Sequence, residues 1–182
     1  MEKASDLFKP NCIRTFSGKY VNVFEPTEDM ICIEDIAHAL SHQCRFGGHL
    51  PRFYSVAEHS ILCSQLVFGS KTEKFNALMH DASEAYLLDI PSPIKKGLAN
   101  YKDLEDGLMH VIANKFGFEW PMTETVRQVD ERMLHYEWNA IMLNEGESKI
   151  TIDSRVYELF NYDKPEYAKH DFIKQFNILK QK

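Results

Sequence analysis

The sequence predicts an all-α chain with one exception, a small β-hairpin near the N-terminus. Apolar residues recur at helical spacing over most of the chain, residues that cap or break helices bound these segments, and only one stretch resembles paired strands. The chain has 182 residues, of which 44% are hydrophobic, and no Pro/Gly/Ser-rich break. We therefore expect a single domain over residues 1–182, with a core at about 33–145 and C-terminal helices at 150–182.

The hairpin is predicted at residues 13–24, where β-branched and aromatic residues flank a Ser-Gly pair. The first helix is predicted at about 34–43. It carries His38 and His42 four residues apart, a spacing that can chelate zinc. A zinc protease would need Glu where Ala39 stands, and such histidine pairs arise easily by chance. We therefore favour a structural role for this pair.

A loop is predicted at residues 44–51, because Gly47-Gly48 and a following proline interrupt any helix. Within this loop, Arg45 and Phe46 can offer a bidentate donor to a phosphate and a flat ring to a base. The alternative, an Arg on the surface and a Phe in the core, is the better interpretation on local grounds. His49 either faces a nearby site or is an ordinary loop residue.

An S-x-x-E capping box predicts a helix at residues 55–68, with His59 on its inward face beside Cys63. Taken alone, such a histidine is more often a core residue bonded to a carbonyl than a metal ligand. The next helix changes this balance because it carries His80 and Asp81. Two successive helices in an antiparallel hairpin can bring their inward side chains to one point.

The central helix is predicted at residues 77–88, apolar nearly all round except for His80, Asp81 and Glu84. At about 100° per residue these three side chains fall within roughly one third of the helix circumference. Burying two carboxylates without compensation would cost several kcal/mol or force them to take up protons. A cation is therefore expected beside them, and adjacent His and Asp are good ligands for a divalent metal.

Two prolines at residues 89–93 are expected to end the central helix. Asp89 is either a turn residue, which is the common case, or a substrate ligand at the mouth of the site. Lys95 and Lys96 follow on a brief helical turn and would usually be solvated. If the substrate is a polyphosphate, they are the nearest cations to hold it.

Further helices are predicted at residues 101–116 and at about 122–144. Asp130 sits within the apolar stripe of the second one, so it needs a partner, for which a bound metal would serve. Glu137 is expected to support a ligand or form a salt bridge. The tail should add one short and one longer helix for packing or subunit contact. In the helix predicted at about 122–144, the apolar stripe comprises Val126, Val129, Met133, Leu134, Trp138 and Ile141.

Charge and cysteine usage limit the function classes. The 21 basic and 27 acidic residues give a net charge of −6, which argues against a surface that grips nucleic acid. There is no signal-peptide pattern and no long apolar run, so we expect a cytoplasmic protein without membrane contact. No C-x-x-C pair or zinc-finger spacing occurs among the four cysteines, Cys12, Cys32, Cys44 and Cys63.

The order of His59, the pair His80-Asp81 and Asp130 resembles the HD-domain metal-dependent phosphohydrolases, and most closely their 5′-deoxynucleotidase branch. The resemblance spans residues 33–143. The linked segments that carry it are Cys44-Arg-Phe, Tyr54-Ser-Val-Ala-Glu-His59, Leu78-Met-His-Asp-Ala-Ser-Glu84, Asp89-Ile-Pro-Ser-Pro-Ile-Lys95 and Val129-Asp130.

This resemblance implies an HD-domain helical bundle with one catalytic divalent metal, Zn, Co, Mn or Mg, in a homo-oligomer such as a dimer or hexamer. The implied metal ligands are His59, His80, Asp81 and Asp130. The implied catalytic residues are Glu84, as a catalytic acid or as a carboxylate that orients water, and Asp81. The implied substrate contacts are Arg45 to a phosphate, Phe46 near the nucleotide where close relatives have Trp, Asp89 as a substrate-side carboxylate, and Lys95.

The sequence also looks like the phage enzymes that remove dATP in viruses whose DNA carries 2-aminoadenine, cutting it to deoxyadenosine and triphosphate. This likeness implies a dATP triphosphohydrolase that cleaves between the α-phosphorus and O5′, in the host cytoplasm if phage-encoded. The position of Lys95 and Lys96 favours a triphosphate substrate. Four alternatives stay open. They are a 5′-deoxynucleotidase acting on monophosphates, a non-catalytic nucleotide-binding HD module, a structural protein in which His80 and Asp81 form only a buried ion pair, and a nucleic-acid phosphodiesterase, which the acidic net charge disfavours.

Overall fold

The computed structural model describes residues 9–143, Tyr162 and residues 164–180, and these residues are mostly helical with one small antiparallel sheet. The predicted fold class is confirmed at this level, whereas the predicted short tail helix lies outside the described residues. The strands are β1 (Cys12–Arg14) and β2 (Tyr20–Asn22). The α-helices are α1 (Ile33–His42), α2 (Val56–Leu66), α3 (Lys71–Met79), α4 (Glu84–Leu87), α5 (Ser92–Lys95), α6 (Tyr101–Phe116), α7 (Glu124–Glu137) and α8 (Pro165–Lys180). A 3₁₀ turn at Arg45–Gly48 and a π turn at Trp138–Met142 complete the list.

The hairpin is held to the helical body by a buried carboxylate. Asp35 on α1 accepts hydrogen bonds from the Thr15 hydroxyl at 2.8 Å and from the Ser17 amide and hydroxyl at 2.6 and 2.7 Å. These donors belong to the turn between β1 and β2, so three polar groups of the turn are satisfied by one side chain. The hairpin predicted at residues 13–24 is therefore present and packed against α1.

Helix α2 lies between two hydrophobic clusters and contributes to both. Ile61 belongs to the larger cluster, which includes residues of α1, α3, α6 and α8, while Leu62 belongs to a smaller cluster with Val126 and Met133 of α7. Packed between the two clusters, every residue of α2 from 56 to 64 is buried. Any polar side chain on α2 that points toward α3 or α7 is therefore removed from bulk water.

Local capping signals set the start of α2. The Ser55 hydroxyl accepts a hydrogen bond from the Glu58 amide at 3.2 Å, and the Glu58 carboxylate accepts one from the Ser55 amide at 2.7 Å. This reciprocal pair is the capping box that the sequence predicts. It fixes the first turn of α2 and thereby the direction in which His59 points.

The prediction of one continuous helix at residues 77–88 is wrong. Helix α3 ends at Met79, residues 80–83 form a turn, and α4 begins at Glu84. Backbone hydrogen bonds of the 3₁₀ type run through this turn, for example from the Glu84 amide to the Asp81 carbonyl at 3.0 Å. The His80 side chain also bonds the Ala77 carbonyl, so it competes with the backbone ladder there. His80, Asp81 and Glu84 thus do not share one face of a regular helix.

The predicted apolar stripe of α7 is correct on one side and wrong on the other. Four residues advance a side chain by about 40° around a helix. The series from Val126 through Asp130 and Leu134 to Trp138 therefore turns from the buried face to the solvent. Val126 is fully buried, whereas Leu134 and Trp138 are exposed. Asp130 lies at the edge of the buried face and is half-exposed, where the sequence placed it at the centre.

The longest helices among the described residues, α6 and α8, have 16 residues each. Crossing a bilayer takes about 20 largely apolar residues. No helix in the described part of the chain meets that requirement.

Candidate metal centre

Two buried histidines face each other from α2 and from the end of α3. His59 directs Nδ1 to a carboxylate oxygen of Glu137 at 2.5 Å, and His80 directs Nδ1 to the Ala77 carbonyl at 2.7 Å. Both partners accept hydrogen bonds, so each neutral ring has its proton on Nδ1 and its lone pair on Nε2. The two Nε2 atoms lie 3.3 Å apart. This arrangement directs two metal-binding nitrogens toward one point.

Two carboxylates complete the predicted ligand set. Asp81 places Oδ2 at 3.3 Å from the His80 Nε2 and 3.7 Å from the His59 Nε2. Asp130 places Oδ1 at 3.1 Å from the His59 Nε2 and 3.6 Å from the His80 Nε2. The carboxylate side chains are 18% and 36% exposed, whereas the imidazoles are closed off from solvent. The structure thus brings all four predicted ligands together, and their binding of a metal stays a prediction.

A cysteine that the sequence analysis treated only as an inward-facing residue joins this cluster. Cys63 lies one turn after His59 on α2, and its Sγ is 3.5 Å from the His59 Nε2. One donor atom from each of four residues, His59, Cys63, His80 and Asp130, lies within 4.8 Å of the other three. The i, i+4 spacing of His59 and Cys63 was the available signal, because such residues are neighbours on one helix face.

The spacing of these donors fits a metal ion. Tetrahedral ligation with metal–nitrogen bonds of about 2.0–2.1 Å separates two nitrogens by about 3.3 Å, and a sulfur at about 2.3 Å lies about 3.6 Å from a nitrogen. The observed separations are 3.3 Å between the two imidazole nitrogens and 3.5 Å between nitrogen and sulfur. The group could therefore hold one metal ion.

Protons compensate the charge of this cluster when metal is absent. Burial disfavours a charged imidazole, but the carboxylates of Asp81 and Asp130 outweigh it and raise the pKa of His80 to about 10. Burial likewise opposes ionisation of Asp130, yet its hydrogen bond to His59 and the nearby charge of His80 hold the pKa of this carboxyl well below its usual value. A metal ion that binds here has to displace protons from the histidines, so its affinity should rise with pH.

We expect the stability of the metal-free fold to fall between neutral and alkaline pH. The pKa of His80 rises from 6.5 to about 10 on folding, so its stabilising contribution is complete below 6.5 and is lost as pH rises through 10. Thermal unfolding of EDTA-treated protein from pH 7 to 10 measures this effect. A His80→Gln variant should show a smaller decrease in its unfolding temperature. A wild-type midpoint that rises over this range would contradict the assigned protonation.

Glu137 is fully buried and connects three side chains of the site. One of its oxygens accepts from the Arg45 Nε and Nη2 at 3.1 and 2.9 Å, and the other accepts from the Tyr54 hydroxyl at 2.8 Å and from His59. Burial raises the pKa of this carboxyl, but the charges of Arg45 and His59 outweigh burial and lower it. Glu137 is therefore an anion that fixes the tautomer and orientation of His59.

The sequence favoured a surface position for Arg45 and a core position for Phe46, and both predictions are wrong. Arg45 is buried against Glu137, with its Nη1 at 3.8 Å from the Asp81 carboxylate. Phe46 is half-buried, and its φ of +55° is a strained conformation for an aromatic residue. Its ring lies 6.2 Å from the ring of Trp138 and 5.6 Å from the Arg45 guanidinium carbon.

A second group of charged residues lies around helices α4 and α5. Glu84 is buried, and burial together with the charges of Asp81 and Asp89 raises the pKa of this carboxyl well above its usual value. Its Oε1 is 3.5 Å from the Lys95 Nζ, and its Oε2 has no hydrogen-bond partner among the described residues. Lys95 also forms a 2.8 Å bond with Glu105, so it is not the solvated cation that local reasoning expected.

The Gln43 amide links the Arg45 turn to this second group. Its Nε2 donates to the Glu84 carbonyl at 3.0 Å, and its Oε1 accepts from the Asp89 amide at 3.2 Å. Asp89 is half-buried, and burial raises the pKa of its carboxyl. Glu84 and Asp89 are thus held in a fixed relation to Arg45 by a residue that the sequence analysis did not single out.

The histidine pair on α1 does not have the geometry of a chelate. The His38 and His42 rings pack together with centroids 4.1 Å apart, and the His42 Nδ1 donates to the His38 carbonyl. Phe16 stacks on the other face of His38 at 3.9 Å. His49 is exposed in the loop after the 3₁₀ turn. These features agree with the structural role favoured from the sequence.

Comparison with known proteins identifies a relative over nearly the whole chain and another over part of it. No family model matches the sequence. The chain is 42% identical over 172 residues to the uncharacterized protein YfdR of Escherichia coli K12, covering 93% of this chain and 96% of YfdR. The chain belongs to the same family as YfdR. An uncharacterized protein of Rhodobacter capsulatus is 36% identical over 112 residues, which is 57% of either chain. Neither name states an activity, so the site itself is the evidence for the function of this YfdR relative.

For this member of the YfdR family we expect Glu137→Ala to lower the free energy of unfolding by about 3–5 kcal/mol, because it leaves the buried charge of Arg45 without its main partner. Metal affinity should fall as well, since His59 loses the carboxylate that orients it. Chemical denaturation and metal titration measure the two effects. Glu131→Ala, at an exposed position on the same helix, is the matched control. Equal stability of the two variants would contradict this role for Glu137.

Proposed function

We propose that the chain is a metal-dependent phosphohydrolase of the HD-domain type that acts on deoxynucleotides and breaks the bond between the α-phosphorus and O5′. One observation carries the proposal: side chains that could hold a metal ion, the Arg45 guanidinium and the Glu84 carboxyl of raised pKa lie around Asp81. These are the groups that phosphate-ester hydrolysis requires. The motif order that resembles the HD-domain phosphohydrolases supports the same conclusion.

Four residues would hold the cation, namely His59, His80, Asp81 and Asp130. A divalent cation bound there supplies Lewis-acid stabilisation of the negative charge that develops on a reacting phosphate. Arg45 is fixed by Glu137 through two of its nitrogens, and its Nη1 faces Asp81. We assign to this Nη1 the donation of a charge-assisted hydrogen bond to a phosphate oxygen.

Glu84 is suited to act as the general acid. An alkoxide at O5′ is a poor leaving group and departs readily only when it receives a proton. Burial raises the pKa of the Glu84 carboxyl well above its usual value and so favours its protonated form, which can donate that proton as the P–O5′ bond breaks. Water supplies the oxygen that joins phosphorus, and a proton released from this water restores Glu84. The Lys95 ammonium, 3.5 Å away, stabilises the Glu84 carboxylate after it has lost its proton and before it regains one.

As substrate we propose dATP, with deoxyadenosine and triphosphate as products. The support is the likeness of the motif series to the phage dATP triphosphohydrolases, together with a lysine beside the catalytic carboxyl group. A 5′-deoxynucleotidase acting on monophosphates is the second candidate. It is favoured by one observation: Lys95 already pairs with the Glu105 carboxylate at 2.8 Å, which leaves less of its charge for distal phosphates.

Chromatographic separation of reaction products tests the proposal. The protein is incubated with each deoxynucleoside mono-, di- and triphosphate in the presence of Zn, Co, Mn or Mg. We expect triphosphate and deoxyadenosine from dATP. Orthophosphate released from monophosphates would select the nucleotidase instead. Metal-loaded protein that binds deoxynucleotides and hydrolyses none of them would overturn the proposal in favour of a binding module. An Asp81→Asn preparation controls for contaminating phosphatases.

A further inference from the structure

We propose that Cys63 is a fifth protein ligand of the metal centre and that the site is consequently built for a thiophilic cation such as Zn(II) or Co(II). This inference rests on the proposed metal site. It concerns a residue outside the four-ligand set that the motif order implies. It also bears on the identity of the metal. Two imidazoles and two carboxylates leave that identity open, because such ligands suit many divalent ions.

The position of the sulfur carries the inference. Cys63 is fully buried one helical turn after His59, with Sγ 3.5 Å from the imidazole nitrogen that faces the site. This separation lies within the range for nitrogen and sulfur bound to one metal ion, which is about 3.1 Å for ligands at right angles and about 3.6 Å at the tetrahedral angle. The sulfur also belongs to the set of four donors that lie within 4.8 Å of one another. The thiol is thus one member of a convergent donor set that includes two imidazoles and a carboxylate.

Packing alone explains the burial of Cys63 but not its neighbours. A buried cysteine commonly serves as a small apolar residue, and Cys63 does contact the cluster that contains Leu62 and Met133. A purely apolar role would be served by contact with carbon atoms. Helix spacing accounts for the contact of Sγ with the His59 Nε2, but it does not account for the donor atoms of His80 and Asp130 that also lie within 4.8 Å of the sulfur.

A thiolate in this position changes which metal the site prefers. Soft thiolate ligands favour Zn(II) and Co(II), whereas Mg(II) prefers six oxygen ligands, several of them water. When the metal binds, the thiol proton is released to solvent and the thiolate joins the carboxylates of Asp81 and Asp130. We therefore expect zinc affinity to depend on Cys63 and manganese affinity to depend on it weakly.

The visible and near-ultraviolet spectrum of the cobalt-loaded full-length protein tests sulfur ligation directly. Wild type should show a sulfur-to-cobalt charge-transfer band at one cobalt per chain. Cys63→Ser and Cys63→Ala should bind cobalt without this band, while Cys12→Ser, in the hairpin, should retain it. A wild-type protein that binds cobalt without the band overturns the inference and leaves the proposed function intact. A band that persists in Cys63→Ala overturns it as well. A wild type that binds no cobalt, zinc or manganese defeats the proposed metal site together with this inference.

Competition with a chelator gives a second readout that is independent of activity. Cys63→Ala should lower zinc affinity about 10- to 100-fold, the range seen when a contact that supports a metal is removed. Manganese affinity should change less than about threefold, since a hard cation gains little from sulfur. Equal losses for both metals would show that the substitution disturbs the fold around the site, and would count against a ligand role.

Discussion

Asp81→Asn is expected to reduce deoxynucleotide hydrolysis by a factor on the order of 10³ or more, equivalent to about 4 kcal/mol of transition-state stabilisation. Asn preserves the shape of the side chain but removes a negative charge from the point where two imidazoles meet. The Oδ2 of Asp81 lies 3.3 Å from the His80 Nε2 and 3.8 Å from the Arg45 Nη1. The substitution therefore removes an anionic ligand and also the carboxylate toward which Arg45 is directed.

Two measurements on the same preparation separate these effects. Elemental analysis after dialysis gives the metal content, and product formation from the preferred nucleotide gives the rate. We expect the Asn variant to lose both metal and activity. Asp103→Asn, at an exposed position on α6, should retain both. An Asp81→Asn protein with one metal per chain and near wild-type activity would remove Asp81 from the ligand set and refute the proposed site.

The parts of the fold that were predicted correctly depend on short-range signals. The start of α2 follows from Ser55 and Glu58, which lie three residues apart and cap each other. The hairpin follows from strand-forming residues on both sides of one turn. The break after Met79 could not be predicted in this way. Its 3₁₀ hydrogen bonds and the His80 bond to the Ala77 carbonyl depend on how the segment is packed, while its composition favours an uninterrupted helix.

The candidate site was likewise predictable only in part. The motif order predicted four donors, and the structure places them within contact of one another. The connections of Glu137 to Arg45 and Tyr54 span 92 and 83 positions in the sequence, and no local pattern encodes contacts of that length. The sulfur of Cys63 was missed for another reason. Cysteine in an apolar helix is usually a core residue, so the i, i+4 spacing from His59 was too weak a signal, without the observed position of Sγ, to mark Cys63 as a candidate ligand.

Glu84→Gln is expected to keep the metal and lower the rate of hydrolysis about 10²- to 10⁴-fold, the usual contribution of a positioned acid. Gln has nearly the same size and can keep a contact with Lys95, but it cannot release a proton to O5′. Wild-type activity should fall as pH rises through the raised pKa of Glu84, because the acid is active only when protonated. The Gln variant should lack this limb of the pH profile.

The matched control for this prediction is Glu105→Gln. Glu105 shares Lys95 with Glu84, through a 2.8 Å ion pair, yet the proposed mechanism gives it no proton to transfer. Its substitution should therefore change the rate less than about tenfold, an effect limited to the pKa of Glu84 through the freed lysine. If Glu84→Gln and Glu105→Gln reduce the rate equally, the lysine and its ion pairs are what the site requires. If only Glu84→Gln does so and the alkaline limb disappears with it, the proton on Glu84 is the one that reaches the leaving oxygen.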